Sequence, residues 1–336
     1  MTATSVDRPY IVAHRGASGY RPEHTLEAYR LAIALGSDFI EPDLVLTGDG
    51  VLVARHENEL SATTDVAAHP EFAGRRTTKN VAGHLVTGWF VEDFKVAELR
   101  TLRARERLPG LRPHNRLYDG RSAVPTFAEV LELARVESGR LGRPIGVYPE
   151  TKLATYFASL GLAHDEPLIA DLAGAGTDVP VFIQSFEPSS LQRLASRLDV
   201  PLVQLVDATG APHDFELSGA GRAYADLLTP SGLAEVAGYV DVIGVHKSLL
   251  IPCGPDGRLG APSGLIDRAR KSGLAVHAWT FRNENAFLPA DCRQGVDDRD
   301  FGDAFAEYKA FLRLGVDGLL TDFPDTALAA CAAVPS

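Results

Sequence analysis

Glu41-Pro42-Asp43 is the short pattern in this chain with the most chemistry in it. On a strand, residues i and i+2 share a face and lie about 6.6 Å apart along it, so two carboxylates can converge on one cation. Glu150, on a neighbouring strand, would supply a third oxygen ligand. Three bare carboxylates about 5 Å apart would repel by roughly 3 kcal/mol per pair at an effective dielectric of about 20, and a bound cation removes that cost. All-oxygen ligation favours Mg²⁺, Ca²⁺ or Mn²⁺ over zinc. The alternative is that Glu41 and Asp43 are surface charges or pair with Arg and Lys. Acids in the middle of a buried strand argue for the metal.

His14 and His56 form a second pattern. Breaking a phosphodiester needs a nucleophile activated and a leaving alcohol protonated, and histidine titrates close enough to neutrality to do either. Arg15 offers a planar fork of donors for a phosphate, Lys152 a point charge, and Gly16 a tight turn beside His14. Either histidine alone is an ordinary polar residue; beside the carboxylates the pair reads as acid and base. Competing catalytic patterns are absent: there is no GxSxG, no GxxxxGK[ST], and His56-Glu57-Asn58-Glu59-Leu60 fails HExxH at its last position. The remaining histidines, His24, His69, His84, His114, His164, His213, His246 and His277, read as surface or packing residues, with His246 at a strand end.

These groups fall at the ends of short apolar runs that alternate with amphipathic segments. Strands are expected at 10–14, 38–46, 143–150, 179–185, 201–206, 241–246, 274–280 and 316–322, and helices at 25–35, 126–136, 188–197, 230–239, 264–272 and 303–314. Eight strands alternating with helices predict an α/β fold, a closed TIM-type (β/α)8 barrel, in preference to an open doubly wound sheet, because no glycine fingerprint follows a strand. In such barrels polar residues at strand ends gather at one mouth. Thr47-Gly48-Asp49-Gly50 should turn the chain into a hairpin strand at 51–55. Residues 57–124 lack a βα period and show one candidate helix, 91–106, so they are expected to be an inserted subdomain after the second strand, over the mouth, where it could select substrates. The barrel then covers 8–325 and 326–336 is a C-terminal tail.

Bulk properties limit the partners. The 336 residues are 45% hydrophobic, ample for a large core, and the formal net charge is −11. So acidic a chain disfavours nucleic acid and anionic membrane surfaces. The run Arg75-Arg76-Thr77-Thr78-Lys79 reads as a solvated loop. No stretch approaches the roughly 18–20 apolar residues of a membrane span, so no stable membrane association is expected. Met1–Tyr10 holds no signal-peptide core, which places the chain as written in the cytoplasm, or in the periplasm or outside the cell if a signal was trimmed. Of three cysteines, Cys253 and Cys292 could bridge in an oxidising compartment; independent free thiols are the simpler reading.

At these residues the chain closely resembles the glycerophosphodiester phosphodiesterase family. The matching pieces are Ala13-His14-Arg15-Gly16 with Pro22-Glu23-His24-Thr25, Glu41-Pro42-Asp43, Gly50 through His56, Pro149-Glu150-Thr151-Lys152, Gln184-Ser185-Phe186, Trp279-Thr280, and Asp317-Gly318 leading to Thr321-Asp322. They run in family order over 10–325, and the segment after His56 resembles the family's insertion, at a size found in many periplasmic or secreted members. The resemblance implies hydrolysis of a small-molecule glycerophosphodiester to sn-glycerol 3-phosphate and an alcohol. It implies Glu41, Asp43 and Glu150 as ligands of one divalent cation, Ca²⁺ or Mg²⁺ with Mn²⁺ also admissible. His14 and His56 match the acid/base pair and Arg15 a phosphate contact. Glu23 and Lys152 match polar residues around the site, and Phe186 and Trp279 would line the glycerol pocket. His24 stands where Asn is commoner, and Gly244-Val245-His246-Lys247 departs from a polar Asn-Lys version. The other readings are a phospholipase D-like or phospholipase C-like lipid phosphodiesterase, and a binding barrel without catalysis. The oligomeric state is not legible.

Overall fold

The computed structural model describes residues 8–176 and 178–334. The apolar runs form strands β1 (Tyr10–His14), β2 (Phe39–Glu41), β3 (Asp43–Leu46), β4 (Leu52–Ala54), β5 (Thr77–Val81), β6 (His84–Gly88), β7 (Gly146–Val147), β8 (Glu150–Thr151), β9 (Ile183–Ser185), β10 (Leu202–Val206), β11 (Val242–His246), β12 (Ala275–Phe281) and β13 (Gly318–Thr321). Runs such as Leu-Val-Gln-Leu-Val in β10 are buried throughout, as parallel strands covered on both faces must be. Proline has no N–H to give a ladder. Pro42 therefore divides the second stave into β2 and β3, and Pro149 the third into β7 and β8. Hydrogen bonds from Tyr148 N to Ile40 O and from Glu150 N to Pro42 O, each 2.9 Å, carry the ladder across both breaks.

The staves close into a ring. β1 pairs in parallel with β13 on one side and β2 on the other, and β8 to β13 follow in order. This is the closed eight-stave barrel expected. Its register sets His14 beside Glu41, Asp43 beside Glu150, Glu150 beside Gln184, and His246 beside Trp279. Residues far apart in the chain thus arrive at one level, the C-terminal mouth. Below it the interior is filled, not hollow: Tyr10, Phe39, Tyr148 and Phe182 pack edge-on or stacked with centroids 5.2–6.1 Å apart. Gly146 makes room for this plug, since a Cβ there would come within 2.1 Å of the Phe39 ring.

Helices start and stop on local chemistry. Thr25 and Thr126 cap 26–34 and 127–141, Thr126 with a reciprocal Glu129, and Gly142 and Gly315 end helices in left-handed conformations. The expected hairpin forms, with β4 antiparallel to β3. Three expectations need correction. The helix over 91–106 shrinks to Val96–Leu99, because beyond it the backbone bonds sideways, Ala104 N to Ser122 O and Arg105 N to Thr63 O. The basic run is not a solvated loop: it leads into the β5–β6 hairpin, and Arg75 pairs with Glu98 and Lys79 with Glu92 and Asp93. The tail is, over 326–332, part of helix Pro324–Ala332, with Ala327 and Ala330 buried. Cys253, Cys292 and Cys331 are free, and Cys292 is packed in the core. Among the described residues no helix is long and apolar enough to cross a membrane.

Candidate active site

β1 ends on His14, and the chain then turns through two left-handed residues, Arg15 (φ 61°) and Gly16 (φ 87°). The turn is crowded: a Cβ on Gly16 would lie 2.8 Å from Ala28. Arg15, which pays about 1 kcal/mol for its conformation, thereby aims its N–H at Glu41 Oε2 (2.8 Å). Its guanidinium meets Glu23 at 3.0 Å and Asp43 at 3.4 Å. Arg15 Nε is buried and makes no hydrogen bond.

Glu41, Asp43 and Glu150 are buried, with one carboxylate oxygen of each within 4.8 Å of the others. Gln184 donates to Glu41 Oε1 (2.9 Å), and its own Oε1 is buried without a partner. Lys152 Nζ lies 2.9 Å from Glu150 and 3.9 Å from Asp43. Despite burial, Lys152 and a hydrogen bond from His24 hold Asp43 well below the usual carboxylate range. The other two go the opposite way. Burial, then the Asp43 and Glu150 charges, push Glu41 well up; burial and Asp43 outweigh Lys152 and push Glu150 up to about 8. The cationic side chains present do not suffice to ionise all three. A divalent cation fits here: the donor set is all oxygen, buried, convergent and short of positive charge.

His24, which the sequence placed with surface and packing residues, is instead buried in this network. A carboxylate only accepts, so His24 Nε2 donates to Asp43 Oδ2 (2.9 Å), and Nδ1 accepts from the Tyr29 hydroxyl (2.8 Å). The usable signal was its place in the Pro22-Glu23-His24-Thr25 piece, directly before the helix cap Thr25.

Both catalytic candidates have a carboxylate on Nδ1. His14 meets Asp322 Oδ1 at 2.7 Å, and His56 meets Glu57 Oε1. Burial, then Arg15, bring His14 down to about 4; burial, then Arg15 and Lys152, bring His56 down to about 3. Asp322 stays ionised despite burial because Arg282 and Arg112 face it. Glu23 does not touch the cavity containing the carboxylates: Arg107 grips it at 2.6 Å in a recess behind Arg15. Asp322 was legible as a polar strand end and within the family's Thr321-Asp322 piece, but not as the partner of His14, and Arg107 and Arg112 not at all.

A cavity of about 150 Å³ joins these groups. His14, Arg15, Glu41, Asp43, His56, Glu150 and Lys152 line it, with Phe186, Trp279 and His246 along one wall. Trp279 is fixed by donating to Gly244 O (2.9 Å), and its ring meets Phe186 edge-on at 5.7 Å and His246 at 5.0 Å. Gln184, Leu205, Thr280 and Arg282 also reach the cavity.

The model of the glycerophosphoryl diester phosphodiesterase family matches residues 14–326. The chain belongs to this family. Among relatives of this diesterase, the Arabidopsis thaliana glycerophosphodiester phosphodiesterase GDPD6 is 36% identical, covering 94% of this chain and 84% of its own. The Haemophilus influenzae glycerophosphodiester phosphodiesterase is 30% identical over 95% and 88%. In fold, the diesterase is similar to an Oleispira antarctica phosphodiesterase solved in complex with the product sn-glycerol-3-phosphate, with a TM-score of 0.59 at 19% identity, covering 96% of this chain and 97% of that one.

Proposed function

We propose that this diesterase hydrolyses glycerophosphodiesters to sn-glycerol 3-phosphate and an alcohol, using one divalent cation and a histidine pair. The observation that carries the reading is the convergence of His14 and His56 with Glu41, Asp43 and Glu150 on one cavity. Family membership and the named relatives support the substrate class.

Glu41, Asp43 and Glu150 would hold the cation, Ca²⁺ or Mg²⁺, which when bound supplies Lewis-acid stabilisation of charge on phosphate oxygen. Arg15 Nε, buried, 3.4 Å from Asp43 and making no hydrogen bond, is suited to a phosphate oxygen, and Lys152 adds a second positive charge. Phosphate beside Arg15 and Lys152 would offset the very charges that, after burial, hold His56 down. We assign His14 as base, taking the proton of the attacking hydroxyl: water gives glycerol 3-phosphate directly, whereas the glycerol C2 hydroxyl gives a cyclic phosphate that water then opens. His56 is the acid, returning a proton to the departing alkoxide. Phe186 and Trp279 offer the apolar wall for the glycerol backbone, and Glu23 steadies Arg15.

The test is release of glycerol 3-phosphate from glycerophosphocholine by the purified protein, with and without EDTA. Activity lost in EDTA and restored by Ca²⁺ or Mg²⁺ is expected. Undiminished activity in EDTA would remove the cation, and no release with any cation would remove the reaction.

A further inference from the structure

Two arginines five positions apart, in the segment between β6 and β7, each hold the carboxylate behind one histidine. Arg107 donates to Glu57 through two nitrogens (2.9 and 2.5 Å), and Glu57 faces His56 Nδ1. Arg112 donates to Asp322 Oδ2 (2.7 Å), and the other oxygen of Asp322 faces His14 Nδ1. From the proposed function we infer that Arg107 and Arg112 are positioning residues that set the tautomer and aim of His56 and His14 through Glu57 and Asp322.

A neutral imidazole carries its proton on either nitrogen, and a carboxylate on Nδ1 selects one form: Nδ1–H donates to the carboxylate and Nε2 is left to exchange protons with substrate. The carboxylate works only if it is itself held ionised and still. Asp322 is gripped by Arg112 and by Arg282 at 2.8 Å, and Glu57 by the Arg107 fork.

Direct phosphate binding by these arginines is a poor fit, because most of their five N–H donors are already taken by protein acceptors. Arg107 gives four bonds, two to Glu23 and two to Glu57. Arg112, buried, bonds Glu284 at 2.6 Å and Ser18 O at 2.9 Å besides Asp322. The stretch between them is a tight turn, with Leu111 N and Arg112 N both donating to Leu108 O, so the two guanidinium groups are held at a set spacing. One piece of chain thus ties residues distant on either side of it in the sequence, Glu57 being 50 positions from Arg107 and Asp322 being 210 from Arg112.

Glu57→Gln, Arg107→Ala, Asp322→Asn and Arg112→Ala test this with two readouts. Ring-nitrogen NMR on ¹⁵N-histidine protein should show the Nδ1–H form of His56 and His14 in the parent. Glu57→Gln and Arg107→Ala should mix the tautomers of His56 alone, and Asp322→Asn and Arg112→Ala those of His14 alone. In kinetics, each variant should lower kcat by ~10² on glycerophosphocholine with KM within about threefold. On the p-nitrophenyl ester of glycerol phosphate, whose leaving group needs no proton, kcat should fall much less in Glu57→Gln and Arg107→Ala but fully in Asp322→Asn. A raised KM at parental kcat, or unchanged tautomers in folded Arg107→Ala, overturns the inference. Arg107 is partly exposed, so that variant should fold even if Asp322→Asn does not. If the parent releases no glycerol 3-phosphate yet the tautomers shift as stated, the proposed function fails and the positioning role stands.

Discussion

Asp43 is asked to hold still while two cations, Arg15 and Lys152, face it, and the neutral His24 is what aims it. The Nε2–H of His24 fixes one oxygen at 2.9 Å, while Arg15 and Lys152 stand off at 3.4 and 3.9 Å. A donor behind a ligating carboxylate tunes affinity for the ion by about 10–100-fold. His24→Leu should therefore raise the Ca²⁺ or Mg²⁺ concentration giving half-maximal activity by ~10-fold or more, and His24→Asn, which keeps a donor, by less; cation titrations of the two variants check this. Removing a proposed ligand should be harsher: Glu41→Gln should lower turnover of glycerophosphocholine by ~10² even at saturating cation. Parental activity in Glu41→Gln would remove the carboxylate cluster from the reaction.

At the scale of elements, the β1-to-helix turn does two jobs, and one residue separates them. Gly16 needs both its positive φ and its missing Cβ, so Gly16→Ala should destabilise the fold by ~2 kcal/mol or more, combining left-handed strain with overpacking on Ala28. It should also lower kcat, because the Arg15 N–H that it orients would leave Glu41. Thr126 is the contrasting case. Its capping box with Glu129 starts helix Phe127–Leu141 without touching the cavity lining. Thr126→Ala should cost about 1 kcal/mol in urea unfolding and leave kcat within twofold.

Across the molecule, acid sensitivity should come partly from histidines with no part in the reaction. His277 pairs with the Tyr148 hydroxyl in the barrel interior and His164 donates to Leu44 O; burial brings both down to about 4. Unfolded, each titrates near 6.5. Between those values the unfolded chain binds a proton that the native state refuses. Stability is thus full above pH ~7, falls as pH drops by up to about 1.4 kcal/mol per pH unit for each histidine, and levels off below 4. His277→Gln should make the slope of unfolding free energy against pH shallower by about one proton between pH 6.5 and 4.5. An unchanged slope in urea titrations would mean that His277 is protonated in the native barrel.

What the sequence by itself determined was whatever rests on short-range periodicity. Glu41 and Asp43 share a face because a strand repeats every two residues, and Pro42 between them breaks the ladder without moving either one. The alternation of buried runs with capped helices was enough for an eight-stave barrel, hence for a mouth where His14, Glu150 and Trp279 would meet. The register then set His14 beside Glu41 and Asp43 beside Glu150. Residues 57–124 were opaque because their backbone bonds across segments, and no local period marks that. The partners of the site were hidden for a related reason: Asp322 stands 308 positions from His14, and Arg107 stands 84 from Glu23. An ion pair leaves no trace in the spacing of the residues that make it. Only the closed barrel, with Arg107 and Arg112 brought down beside its rim, decides which charge stands behind which histidine.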